Sequence, residues 1–226
     1  MSFTTADVVK LRKSTGAGMM DCKNALTEAD GDFDRAVEII RERGKLVASK
    51  RADRLASEGA VLAKVSEDKK FGALVVLNCE TDFVAKNERF VAFTSQILDA
   101  ALANKPETLD ELKNIVLDGR TIGDQVIEQV GIIGEKLDLS FYGKIGAETV
   151  VAYVHPGNKL VAIVGFNKPD VEYQLGRDVA MQVAAMNPVA VDRESIPQSL
   201  VEKELEIAKE KFRLEGKPEA MLDKIA

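Results

Sequence analysis

Tryptophan is missing from these 226 residues, histidine occurs once and cysteine twice. Aromatic side chains make up only 5%, so few broad stacking surfaces exist for bases or sugars, and Val, Ile, Leu, Ala and Met must fill the core. Cys22 and Cys79 lie far apart with no Cys-x-x-Cys pair, which points away from a zinc site or a thioredoxin-like redox centre and towards reduced, cytoplasmic thiols. Any Ser-His-Asp or Cys-His centre would have to run through His155, which sits beside a Pro-Gly turn and has no identifiable nucleophile. Positive charge is not in excess either: 31 Lys+Arg face 37 Asp+Glu, for a net charge of −6. Even the first 60 residues hold 11 Lys+Arg against 10 Asp+Glu, which argues against direct nucleic-acid binding, since that draws its affinity from clustered cations on phosphates. No apolar run approaches the ~18 residues of a membrane span. The start MSFTTADVV lacks the basic-then-apolar pattern of a signal peptide. The expectation is a cytoplasmic protein that is not an enzyme and uses no membrane, metal or cofactor.

What is present is a globular composition, 46% hydrophobic and 30% charged, long enough for one body and a smaller module at ~150 residues per domain. Residues 4 to 44 read as three short helices. Thr4 and Asp7 form a capping box, Val8, Leu11 and Thr15 follow at helical spacing, and Gly16 stops the turn. Met19, Cys22 and Leu26 stripe a second helix. A third starts at Asp32, places Phe33, Ala36, Val37 and Ile40 on one face, and is expected to end at Gly44. Residues 46–58 suit a linker helix. Val61, Ala63 and Val65 then alternate with polar neighbours, a turn follows at Ser66–Lys69, and Phe71 to Cys79 reads as a strand covered on both faces. Residues 88 to 103 return to helical spacing.

The same order recurs downstream. Val150–Val154, the turn Pro156-Gly157-Asn158, Lys159–Phe166 and the helical stretch Arg177–Met186 repeat strand, turn, strand and helix. Laying Ala63 on Ala152 puts Phe71 on Leu160, Leu74 on Ile163 and Asn78 on Asn167. The first copy then carries about six extra residues, Thr81-Asp82-Phe83-Val84-Ala85-Lys86. Between the copies a helical stretch is expected from 108 to 130, then a strand from Leu137 to Tyr142. Two further helices flank Gly216-Lys217-Pro218 and predict a protruding helical hairpin. The second has no stop signal before Ala226, so a truncated chain or missing tail is expected.

Two glycine- or acid-rich stretches have bland explanations. Gly16-Ala17-Gly18 follows a helix and lacks the Gly-Lys-Ser/Thr ending of a phosphate loop. Asp30, Asp32 and Asp34 imitate a calcium loop, but Arg41 stands where its twelfth-position glutamate belongs. Two groups are harder to dismiss. Met20 falls off its helix's stripe and is either an adaptable apolar contact or, with Met19, part of the core. Asp82-Phe83 sits inside an insertion at a strand-to-helix junction, where Phe83 is either exposed for a partner or folded back on its own sheet.

The run Leu11 to Leu26, LRKSTGAGMMDCKNAL, resembles the N-terminal signature of the elongation factor Ts family, and Asn78 to Lys86, NCETDFVAK, resembles its second signature. The resemblance implies an α+β protein. It has a three-helix module similar to a ubiquitin-associated domain (1–45), a linker helix (46–58), a core of two related α/β subdomains with antiparallel sheets (59–140 and 141–197), and the hairpin (198–226). It further implies a guanine-nucleotide exchange factor that grips the GTPase domain of elongation factor Tu. Thr81, Asp82, Phe83 and Val84 would form the wedge that disturbs the partner's magnesium and phosphate site. Leu11, Arg12, Gly18, Met19 and Met20 would form the N-terminal grip, with Ile133, Gly134 and His155 as further contacts. Self-association through the core or hairpin stays open. Family members normally return from the hairpin to the core and end in another contact segment, and none of that follows Ala226. The competing expectation is a non-catalytic chaperone or scaffold that holds its partner through the N-terminal helices and the hairpin.

Overall fold

The computed structural model describes residues 3–226; residues 1 and 2, the start of the expected 1–45 module, lie outside them. Three helices come first: α1 (Thr5–Thr15), α2 (Met19–Glu28) and α3 (Phe33–Lys50). The Thr4–Asp7 box closes in both directions, with the Asp7 N–H donating to Thr4 Oγ1 at 3.4 Å and the Thr4 N–H donating to Asp7 Oδ2 at 2.8 Å. Gly16 ends α1 at φ 75°, and the Asp32 carboxylate caps α3 by accepting the Arg35 N–H at 2.9 Å. Leu11, Cys22, Leu26, Ala36 and Ile39 pack between the helices as a small core. Burial of Leu11, Leu26 and Ile39 contributes roughly 1.5–3 kcal/mol each.

Gly44 does not end α3, which continues through it to Lys50. Its backbone is instead approached closely by a later helix. A Cβ on Gly131, in that helix, would lie 2.4 Å from the Gly44 Cα, whereas one on Gly44 would meet nothing closer than 3.6 Å, so the close crossing depends on the missing side chain of Gly131.

After α3 the chain forms β1 (Glu58–Val65) and β2 (Phe71–Cys79), an antiparallel hairpin. Then come α4 (Asp82–Ala85), α5 (Glu88–Asn104) and α6 (Leu109–Asn114). The expected continuous helical stretch from 108 to 130 is interrupted. β3 (Val116–Leu117) and β4 (Arg120–Thr121) pair around Asp118 and Gly119, which both take positive φ, and α7 (Ile122–Ile133) follows. Asp-Gly is the dipeptide that such a tight hairpin turn favours, and here it outweighs the apolar periodicity around it. β5 (Asp138–Gly146) then adds to β2, completing a sheet in the order β1-β2-β5.

One face of β2 is fully buried, through Ala73, Val75, Leu77 and Cys79, against α5, α7 and their neighbours. Its other face is only half-covered, at Leu74, Val76 and Asn78, so the strand is less enclosed than its apolar run predicts. A second antiparallel pair, β6 (Thr149–Val154) and β7 (Val161–Phe166), lies against that side and precedes α8 (Tyr173–Met186). Ala63 pairs with Leu74 in the first hairpin and Ala152 with Ile163 in the second. The internal repeat therefore aligns residues that occupy equivalent cross-strand positions. The architecture is α+β, with small antiparallel sheets and an N-terminal helical stretch.

The chain divides into two compact units, one running to Ala184 and the other spanning Ala185–Ala226. In the second, α9 (Gln198–Leu214) and α10 (Glu219–Ile225) meet across the 215–218 turn. Lys209 bridges to Asp223 at 2.7 Å and Arg213 to Glu219 at 2.8 Å, and Leu222 is buried.

Candidate functional site

The site begins where β2 ends. Thr81 leaves the strand with extended backbone and caps α4, its hydroxyl accepting the Val84 N–H at 3.4 Å. This one-turn helix buries Ala85 and turns Phe83 outward, so that 83% of Phe83 is exposed. Phe83 does not fold back on its own sheet. Asp82 is half-exposed and pairs with Lys86 one turn on, Nζ to Oδ2 at 2.7 Å, which holds its carboxyl below the usual range. Just before the turn, Cys79 is buried and donates from Sγ to the Thr81 carbonyl at 3.1 Å. Burial pushes this thiol up to about 11, so it stays protonated and inert at neutral pH.

Two glutamates brace the turn. Glu135 Oε2 accepts the Glu80 N–H at 3.1 Å and the Thr81 N–H at 3.0 Å, and its Oε1 accepts the Thr81 hydroxyl at 2.7 Å. In the other direction, Glu80 Oε1 accepts the Lys136 N–H at 2.6 Å, and Glu80 pairs with Arg51 at 2.7 Å and Arg54 at 3.0 Å. The Lys136 backbone donor first, then the two guanidiniums, hold the Glu80 carboxyl down at about 2. Lys136 Nζ in turn donates to the Ala52 and Arg54 carbonyls.

This bracing brings sequence-distant candidates together. Gly134 is the left-handed cap of α7, φ 78°, with Ile133 as that helix's last residue, and both are half-buried next to Glu135. The N-terminal loop also lies near the end of α7: a Cβ on Gly16 would be 3.6 Å from Ile132 Cδ1. Thr15, Ala17 and Asp21 share with Ile132 and Gly134 a cleft of about 590 Å³. The Gly16 loop therefore lies near the end of α7, and the residue that follows that helix's cap, Glu135, binds the 81–84 turn.

Within the N-terminal group, Met19 and Met20 are exposed, Met20 at 63%, so neither belongs to the core. Arg12 and Gly18 are also exposed, Gly18 opening α2. Leu11 differs from these, being wholly buried in the three-helix core, where it supports the surface without reaching it. His155 is exposed at the β6–β7 turn, its Nδ1 2.7 Å from the Tyr153 hydroxyl. That turn docks on β1 through the Val61 N–H to the Asn158 carbonyl, 2.8 Å, and through a Lys159–Glu58 ion pair. Among the described residues, no cluster of three or more His, Cys, Asp or Glu is placed to hold a metal ion.

Comparison with known proteins bears directly on this surface. Residues 80–226 match the family model described as Elongation factor TS, a match that opens at Glu80. The chain belongs to the elongation factor Ts family. An elongation factor Ts of Azobacteroides pseudotrichonymphae is 55% identical over 225 residues, which cover 100% of this chain and 81% of that protein. One of Porphyromonas gingivalis is 51% identical over 228 residues, 100% of this chain and 82% of that protein. One of Christiangramia forsetii is 48% identical over 225 residues, 99% of this chain and 81% of that protein. These relatives extend the likeness over the N-terminal helices, which the family model leaves unmatched. The resemblance read from Leu11–Leu26 and Asn78–Lys86 is borne out, and the chain is a translation elongation factor. Among the described residues, no helix is long and apolar enough to cross a membrane.

The sequence singles out neither Glu80 nor Glu135. Each looks like an ordinary surface carboxylate, and the partner backbone lies some 55 residues away along the chain. Only the fold discloses that contact.

Proposed function

We propose that this protein is a guanine-nucleotide exchange factor that binds GDP-loaded elongation factor Tu in the cytoplasm, without direct nucleic-acid contact. Thr81, Asp82, Phe83 and Val84 enter the GTPase domain beside its magnesium and phosphate site, and GDP leaves so that GTP can bind. Arg12, Gly18, Met19 and Met20 grip the same domain on the module that Leu11 supports, and Ile133, Gly134 and His155 add contacts. No covalent bond is broken, so the protein is not an enzyme.

The observation that carries this is the exposure of Phe83 on a turn braced from outside. An aromatic ring left in water forfeits roughly 1.5–3 kcal/mol of burial, which a partner recovers on docking. A thousandfold acceleration of release requires a barrier lower by about 4 kcal/mol, so the ring supplies about half and the remaining contacts share the rest. By linkage, the factor by which the protein weakens GDP affinity at equilibrium is the factor by which GDP weakens its own binding.

The test is release of a fluorescent GDP analogue from elongation factor Tu, chased with excess GDP. Added wild-type protein should accelerate release to a saturating rate. Phe83→Ala should keep its circular dichroism and lose about one to two orders of magnitude of that acceleration. Binding with an unchanged off-rate would make the protein a scaffold instead.

A further inference from the structure

The 81–84 turn is too short to hold its own shape. α4 has four residues, and its cap from Val84 N–H to Thr81 Oγ1 is long at 3.4 Å. Its firmest anchor comes from outside: the half-buried Glu135 carboxylate takes two successive backbone N–H groups, of Glu80 and Thr81, and the Thr81 hydroxyl. A hydroxyl has one proton to give. Because that proton goes to Glu135, the Thr81 oxygen keeps its lone pairs for the Val84 N–H, and one carboxylate sets both the entry to the turn and the polarity of its cap. The reverse bond, Lys136 N–H to Glu80, fixes Glu135's own segment in place.

We propose that Glu135 is a positioning residue for nucleotide exchange, holding the Thr81–Val84 turn in the one shape that keeps Phe83 exposed and ready to dock. This rests on the exchange function given above for that turn. Without the anchor, the segment samples conformers in which the apolar ring covers itself on neighbouring surface. Only the competent fraction can dock as a wedge, and activity falls with that fraction. Anchoring the turn beforehand spares the complex the cost of ordering it.

The experiment uses the full chain as wild type, Glu135→Ala and Glu135→Gln, with two readouts. In the free protein, amide hydrogen exchange at Glu80, Thr81 and Val84 should accelerate about tenfold or more in Glu135→Ala, while α1–α3 keep wild-type protection. With elongation factor Tu, the saturating rate of GDP-analogue release should fall about tenfold. The half-saturating concentration should change less than about threefold, because the N-terminal contacts persist. Glu135→Gln keeps an acceptor oxygen for the two backbone donors, and its NH2 donates to the Thr81 oxygen, which still has a lone pair for the Val84 N–H, so both readouts should return to within about threefold of wild type. Unchanged amide exchange in Glu135→Ala overturns the proposal, and so does accelerated amide exchange with an unchanged saturating rate. Loss of protection throughout the molecule in both variants reduces Glu135 to a general stability role and equally overturns it. If wild-type protein fails to accelerate release, the exchange function itself falls, and amide exchange in the free protein alone decides whether Glu135 holds the turn.

Discussion

Glu80 is the most strongly perturbed carboxylate of the candidate site, and its environment makes a pH prediction. Its folded value of about 2 lies below the ordinary 4.5, so its contribution to stability is whole above about pH 4.5 and fades as pH falls towards 2. Glu80→Gln should therefore unfold at a lower temperature than wild type at pH 7, and the gap should narrow as pH drops through that window. A gap that stays constant from pH 7 to pH 2 in thermal unfolding would show that the carboxylate's charge is not what the Lys136 N–H and the arginines hold. At this scale the site was only half legible. Asp82 and Phe83 stood out because an insertion interrupts a repeat and carries a large apolar ring into a loop. Leu11 looked like part of the same surface because it lies in the same motif, yet helical spacing with Val8 places it in the core. Glu80 and Glu135 gave no signal, since a carboxylate's partner is invisible when it is a backbone amide supplied by a distant segment.

At the scale of elements, caps and turns were readable because their chemistry is local. Thr4 with Asp7, Asp32 and Gly16 close helices with bonds to residues three or four positions away. The failures were places where one residue type serves two purposes. Gly44 looked like a helix stop, but α3 runs through it and the bare Gly131 of α7 packs against its backbone. Asp118-Gly119 lies inside the stretch expected to be one helix, but its turn preference splits that stretch in two. The α3–α7 crossing gives an asymmetric prediction. A Cβ on Gly131 would collide with backbone at 2.4 Å, whereas one on Gly44 meets nothing closer than 3.6 Å. Gly131→Ala should cost about 1–3 kcal/mol through forced separation of the two helices. Gly44→Ala should be neutral or stabilising by up to about 1 kcal/mol through helix propensity. Urea denaturation of the two variants would read the difference, and equal losses would contradict the close approach.

On the scale of the whole molecule, the division at Ala184 and Ala185 sets where the chain is open to attack. Between α8 and α9, residues 187–197 have no helix or strand, and Arg193 is exposed. Limited trypsin digestion should cut first after Arg193, leaving a fragment with the three-helix module and both sheet-bearing parts, identifiable by mass. First cuts within α1–α3 or α5 would contradict that order of protection. The repeat made this level partly legible, since Ala63 with Leu74 and Ala152 with Ile163 turned out to be matched cross-strand pairs. Nothing in the repeat announced that β5 joins the first sheet, because that strand has no copy to reveal it. Its late arrival orders events during synthesis. β2 is complete at Cys79 but gains its second neighbour only when Gly146 has been made. At ~5–20 residues per second the ribosome needs roughly 3–13 s to add that stretch. For that interval the nascent chain carries finished N-terminal helices beside a strand edge still open to misplaced pairing, and Glu135, which anchors the 81–84 turn, has for most of that time not yet been translated.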